Sequence, residues 1–184
     1  MTTSVAAANL VVSWEDSPDD HASAVTSFIV TFEEADDLNF STILDYCDPV
    51  FNSAAFLAKS CSIPMTVLRA DPYSVPIGDL IVAEVAAINA KGTSEPSEPN
   101  TSGVLGQDAP TVAPVLARGD QTSEIQIELQ WEPPTASLDI GGSFITGFKI
   151  YWDSGSQDTD PSAFQPFHTV SDPSQLSYTT TAVT

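Results

Sequence analysis

Residues 125–152 read IQIELQWEPPTASLDIGGSFITGFKIYW. In the first part Ile125, Ile127, Leu129 and Trp131 alternate with Gln126, Glu128 and Gln130. Successive side chains of a strand point to opposite faces, so the four apolar groups share one face and the polar ones face water. In the last part Phe148, Ile150 and Trp152 share a face, with Lys149 and Tyr151 opposite. A Pro- and Gly-rich connection separates the two runs. Two half-apolar strands of this kind require a second sheet laid over them, which makes the segment part of a β-sandwich.

The pattern occurs twice. Leu10, Val12 and Trp14 alternate with Val11 and Ser13, and residues 25–32 follow as VTSFIVTF. Trp14 aligns with Trp131, Phe28 with Phe148, Val30 with Ile150 and Phe32 with Trp152. The tryptophan lies 14 positions before the phenylalanine in the first copy and 17 in the second, a difference that a surface loop absorbs cheaply. An internal repeat fixes the architecture, so the chain reads as two tandem sandwiches.

A tryptophan closing one strand, Pro133-Pro134, and then GGSFITGFKIYW resemble strands B and C of the fibronectin type III fold. A second stretch strengthens the resemblance. Val85, Ala87, Asn89, Gly92, Ser94 and Ser97 fit the family's pattern V-x-A-x-N-x-x-G-x-S-x-x-S for strand F, the FG turn and strand G. Ile81 departs from it, standing where the family has the tyrosine of a tyrosine corner, and Tyr73 in the preceding loop is the candidate replacement. The run CSIPMTVL followed by YSVPIGD further resembles a variant of the repeat found in very large surface proteins of single-celled eukaryotes. The resemblance implies an all-β chain of two immunoglobulin-like sandwiches. The first covers residues 1–105 and lacks strand A; the second covers residues 108–184 and is incomplete, lacking strands F and G. Truncation of a longer repeat array is the simpler explanation of the missing strands, and their donation by a neighbouring chain in a head-to-tail filament is the sharper one. A sandwich of this kind takes about 100 residues, and only 77 remain from Asp108.

Other expectations follow along the chain. Residues 15–20, with Pro18, form a polar turn, and residues 63–68 are strand E. Residues 109–114 make a proline-bearing edge strand, where missing amides matter least. Residues 153–160 are a loop, 167–170 a strand, and 178–181 the second strand E. No residue string fits a nucleophile elbow, a phosphate-binding glycine loop or a helical zinc-protease motif, so no catalytic role is expected.

Five Lys and Arg against 25 Asp and Glu give a net charge of −20. Such a surface repels DNA and RNA phosphates and anionic lipid, which excludes nucleic-acid partners and adhesion to a charged bilayer. It suits salty or calcium-containing surroundings, where self-repulsion is screened. No run reaches the length of a membrane span. MTTSVAAANLVVSW has no basic leader region and passes into a strand, so a secretory leader is expected outside this sequence.

Cys47 and Cys61 flank a small-residue excursion, and with the extracellular character of the resemblance they suit one disulfide. The competing reading is a pair of reduced, buried thiols. A zinc site fits less well, because His21 and His168 lie at no ligand spacing and read as surface loop residues. Glu33, Glu34, Asp36 and Asp37 offer oxygens for Ca²⁺, but the spacing and glycine of a calcium loop are absent, and a solvated loop is the plainer reading. Asn39-Phe40-Ser41 and Asn100-Thr101-Ser102 are glycosylation sequons in expected loops.

Arg118-Gly119-Asp120 is the triplet that serves as an integrin ligand in adhesive fibronectin repeats, where it sits between strands F and G. Here it falls between A and B, and a polar turn is the plainer reading. Together these features imply a structural or adhesive part of a large extracellular or cell-surface protein. It would contact protein partners or neighbouring repeats, and no reaction would be catalysed. The alternatives are an accessory segment of a secreted multidomain enzyme and part of a receptor ectodomain.

Overall fold

The computed structural model describes residues 1–16, 22–36, 38–47, 58–153, 160 and 164–180. The turn at Pro18, His21, Asp37, most of the excursion between the cysteines and most of the loop after Asp153 lie outside these residues. Two compact units divide the chain, Met1–Asp108 and Ala109–Thr184.

In the first unit, strands β1 (Thr2–Ala6), β2 (Asn9–Ser13) and β5 (Ser60–Pro64) form one sheet in the order β1-β2-β5. Strands β3 (Val25–Glu33), β4 (Phe40–Thr42), β6 (Ala83–Asn89) and β7 (Gly92–Thr93) form the other, ordered β4-β3-β6-β7. This is the strand order that the resemblance implies for an immunoglobulin-like β-sandwich, A-B-E in one sheet and C′-C-F-G in the other. Leu10, Val12 and Ile63 from one sheet and Phe28, Val30, Phe32 and Ala83 from the other meet in one buried core. The alternation in the sequence produces this directly, because β2 and β3 each bury every second residue.

The expected absence of strand A is corrected: β1 pairs antiparallel with β2, Thr2 opposite Ser13 and Ala6 opposite Asn9. The connection is Ala7-Ala8, with Ala7 at φ 54°, a conformation usually given to Gly or Asn. Ala-Ala carries no turn signal, which hid the hairpin. Strand E is also displaced, since pairing of β2 with β5 ends at Pro64 and Met65–Leu68 is a helical turn. That turn buries Met65 and Leu68 at the edge of the core. Tyr73 is buried edge-on against Phe32, and its hydroxyl donates to the Thr42 carbonyl at 3.1 Å. The ring ties the loop before β6 to β4, while Ile81 fills the core at the family's tyrosine position.

The stretch after β7 explains the S-x-x-S pattern. Ser94, Ser97 and Asn100 each form a rung against β6. Their backbone N–H groups donate to the carbonyls of Ala87, Val85 and Ala83. Their side-chain oxygens accept from the N–H groups of the same three residues, at 3.0, 3.1 and 2.7 Å. Pro96 and Pro99 have no N–H, so an ordinary ladder cannot form here. A rung every third residue satisfies β6 and leaves Glu95, Pro96, Glu98 and Pro99 exposed, an edge that another strand cannot extend.

In the second unit β8 (Val115–Arg118), β9 (Ile127–Glu132) and β12 (Ser177–Thr180) form a sheet ordered β12-β9-β8. Strands β10 (Phe148–Trp152) and β11 (Gln165–Val170) pair as a two-stranded sheet. These correspond to E-B-A and C-C′, and the described residues contain no counterpart of F or G. Trp131 packs edge-on against Phe148 at 5.4 Å, as Trp14 does against Phe28 at 5.7 Å. The edge strand expected at residues 109–114 forms later, at β8. His168 lies within β11, exposed and stacked on Tyr178 at 4.2 Å, not in a loop.

Candidate interaction surface

The β8–β9 hairpin presents the Arg-Gly-Asp triplet. Arg118 ends β8 opposite Leu129, and Arg118 and Asp120 are both exposed while Gly119 between them is buried. The Gly119 N–H donates to the Glu128 carbonyl at 2.8 Å. Glu128 is 6% exposed, although the alternation puts it on the polar face of β9. Its Oε2 accepts from the Gln121 N–H at 2.8 Å, and its backbone N–H donates to Thr122 Oγ1 at 3.0 Å. The loop therefore folds back over this carboxylate and shields it. A Cβ on Gly119 would stand 2.3 Å from Glu128 Cγ, so the glycine is required for close approach. The triplet is a built hairpin, with the glycine walled in by Glu128. Gly119→Ala should push Glu128 off its bond to Gln121 and destabilise this unit by about 1–3 kcal/mol, the cost of leaving a buried acceptor unmet. Urea unfolding of the second unit measures it; an unchanged midpoint would show that the loop is not held by Glu128.

The inner faces of the two units differ sharply. Leu10 and Val12 are 0% exposed and Phe28 4%, but their counterparts Ile127, Leu129 and Phe148 are only half-buried. Ile150 and Trp152 are half-buried where Val30 and Phe32 are each 1% exposed. In the first unit β6, its lead-in residue Ile81 and Leu68 close the core. In the second, β10 has β11 on one edge, and among the described residues no strand pairs with its other edge. In the same unit Leu116 of β8 is 64% exposed and Phe144, ahead of β10, 92%. An edge such as that of β10 pairs with one more extended segment, of the same chain or of another, through main-chain hydrogen bonds and alternate side chains.

In the acidic β3–β4 loop, Asp36 Oδ1 accepts from the N–H groups of Leu38 and Asn39, each at 3.0 Å, and Oδ2 accepts from Asn39 Nδ2. Both carboxylate oxygens thus latch the loop. Among the described residues no group of three or more His, Cys, Asp or Glu side chains could hold a metal ion. The Asn39 and Leu38 N–H groups hold the Asp36 pKa below its ordinary value. A depressed folded-state pKa means the latch is intact above the ordinary carboxylate pKa and is lost as pH falls through the folded value. The Leu38 and Asn39 amide resonances should keep their positions through the ordinary carboxylate range and move only at lower pH. Movement centred on the ordinary value would contradict the latch.

Cys47 and Cys61 are joined by a disulfide, with Cα atoms 5.2 Å apart and both residues buried. It ties the helical turn Leu44–Cys47 to β5 within the core. No helix among the described residues is long and apolar enough to cross a membrane.

No protein-family profile matches the chain. A curated relative, the receptor-type tyrosine-protein phosphatase mosPTP-1 of Aedes aegypti, is 26% identical over 151 residues, covering 81% of this chain. The chain spans about a tenth of that protein's length, the aligned part being 10% of it. Among solved structures, the FN1–FN3 domains of chicken CNTN1 align over 95% of this chain and 51% of theirs, with 16% identity and a TM-score of 0.37.

The two sequons fall in different settings. Asn39 is exposed in the β3–β4 loop, whereas Asn100 is half-buried in the last rung against β6. Residue-type patterns could not separate them, nor could they expose the role of Glu128, whose burial depends on the loop that folds over it.

Proposed function

We propose that this chain is a non-catalytic, extracellular module of an adhesive or receptor-type protein, working through protein–protein contact. The reading is supported by the repeated all-β sandwich pattern, with the first unit closed around a core that the Cys47–Cys61 disulfide joins. An extended segment laid along β10, from residues that continue this chain, from a neighbouring repeat or from a partner, would cover Phe148, Ile150 and Trp152. The buried disulfide suits an oxidising compartment, and the receptor type of the Aedes aegypti relative agrees with a surface location. The strong negative charge makes contacts with basic partner surfaces more favourable and keeps like copies apart at low salt. A wider role in spacing or assembling a large surface protein, of the kind found on single-celled eukaryotes, belongs to the same reading.

The test is binding by beads coated with the chain, to one another and to cells with intact or protease-stripped surfaces. The reading expects clustering, or cell binding that stripping abolishes, and expects Ile150→Lys to weaken it. Absence of both kinds of binding across a range of salt would contradict it.

A further inference from the structure

We propose that Asn39, and not Asn100, carries an N-linked glycan in the secreted, folded protein. This inference rests on the extracellular reading above. Both sequons end in serine, so acceptor chemistry does not distinguish them. The fold does, through the hydrogens on the amide nitrogen.

Glycosyl transfer from a lipid-pyrophosphate-linked oligosaccharide forms a bond between Nδ2 and the anomeric carbon. The bond from that carbon to the pyrophosphate oxygen breaks, the pyrophosphate leaves with the electron pair, and the nitrogen gives up one of its two protons. A glycosylated asparagine thus keeps a single N–H on its side chain. Among the described residues, Asn39 Nδ2 donates to Asp36 Oδ2 alone, and the remaining hydrogen can keep that bond. Asn39 is exposed, so the sugar stands in solvent. Ser41, the third sequon residue, hydrogen-bonds Tyr73 through its hydroxyl at 3.1 Å. The sequon is therefore read before β4 docks, and β4 docks afterwards without displacing the sugar.

Asn100 spends both hydrogens. Nδ2 donates to the Ile81 carbonyl at 3.0 Å and the Ser102 carbonyl at 3.2 Å, while Oδ1 accepts from the Ala83 N–H. Asn100 is also half-buried, where Asn39 is exposed. A sugar there removes one donor from a half-buried rung and displaces the chain that closes β6. Asn100 is a structural rung wearing a sequon.

The full chain, placed behind a cleavable leader and expressed in a eukaryotic secretory host, provides the test. Enzymatic deglycosylation in heavy-oxygen water converts each occupied asparagine to labelled aspartate, read by peptide mass spectrometry. Label is expected at residue 39 and not at residue 100 in the secreted monomer. Asn39→Gln and Ser41→Ala should each abolish the glycan-dependent gel shift. Ser102→Ala, which destroys the second sequon but keeps the Asn100 rung, should leave it unchanged. Label at residue 100 in folded secreted chains, or an unlabelled residue 39, overturns the proposal. Because the leader delivers the chain to the transferase whatever its natural compartment, these outcomes judge the sites; the location of the native protein is judged separately by its own detection at the cell surface.

Discussion

Phe32→Ala should destabilise the first unit by about 3–5 kcal/mol, the range for truncating a fully buried aromatic side chain. Phe32 is 1% exposed, sits opposite Ala83 in the β3–β6 ladder and packs edge-on against Tyr73. Its removal opens a cavity that the sheet on one side and the Tyr73 hydroxyl bond on the other keep from collapsing. The counterpart change Trp152→Ala should cost clearly less than Phe32→Ala, because Trp152 is only half-buried although its ring is larger. Urea unfolding of the two variants in the full chain measures both, with the first-unit transition moved by one and the second-unit transition by the other. Equal losses would show that the second unit buries its inner face as fully as the first.

The disulfide should give the other large effect. It closes a segment with a sequence separation of 14, and a loop of about 15 residues corresponds to roughly 3 kcal/mol through the entropy it removes from the unfolded chain. Reduction should therefore lower the melting temperature of the first unit by roughly 10 °C or more and leave the second unit unchanged, since both cysteines belong to the first. Cys47→Ala with Cys61→Ala should match reduction, since both sulfurs lie in the core and alanine leaves no buried polar group. A melting temperature indifferent to reductant, in protein whose thiols have been shown to react, would contradict the assignment.

The repeat and its register were legible in the sequence because burial on a strand follows a period of two. Trp14 and Trp131 are both buried, and each packs against the phenylalanine aligned with it. What stayed hidden depended on something other than period. The β1–β2 turn is built from two alanines, one in a conformation that alanine rarely adopts, so no residue type announced it. Met65–Leu68 follows an apolar run that suits a strand as well as a helical turn, and only the end of the pairing at Pro64 separates them. The Ser94, Ser97 and Asn100 spacing was visible as a pattern, but its chemistry needed β6 alongside. Glu128 shows the limit most plainly: alternation assigns it to water, and a loop eight residues long decides otherwise.

Among the described residues β10 has one unpaired edge, and native-state hydrogen exchange of this chain by itself tests that arrangement most directly. In a particle that sediments as a monomer, β3, held between β4 and β6, should show protected amides throughout its paired length. In β10, which among the described residues pairs with β11 alone, amides should alternate between protected and rapidly exchanging from Phe148 to Trp152, and the fast ones should become protected when a further strand, from a longer form of this chain or from a partner, pairs with that edge. Uniform protection of β10 in the isolated monomer, matching that of β3, would contradict the account.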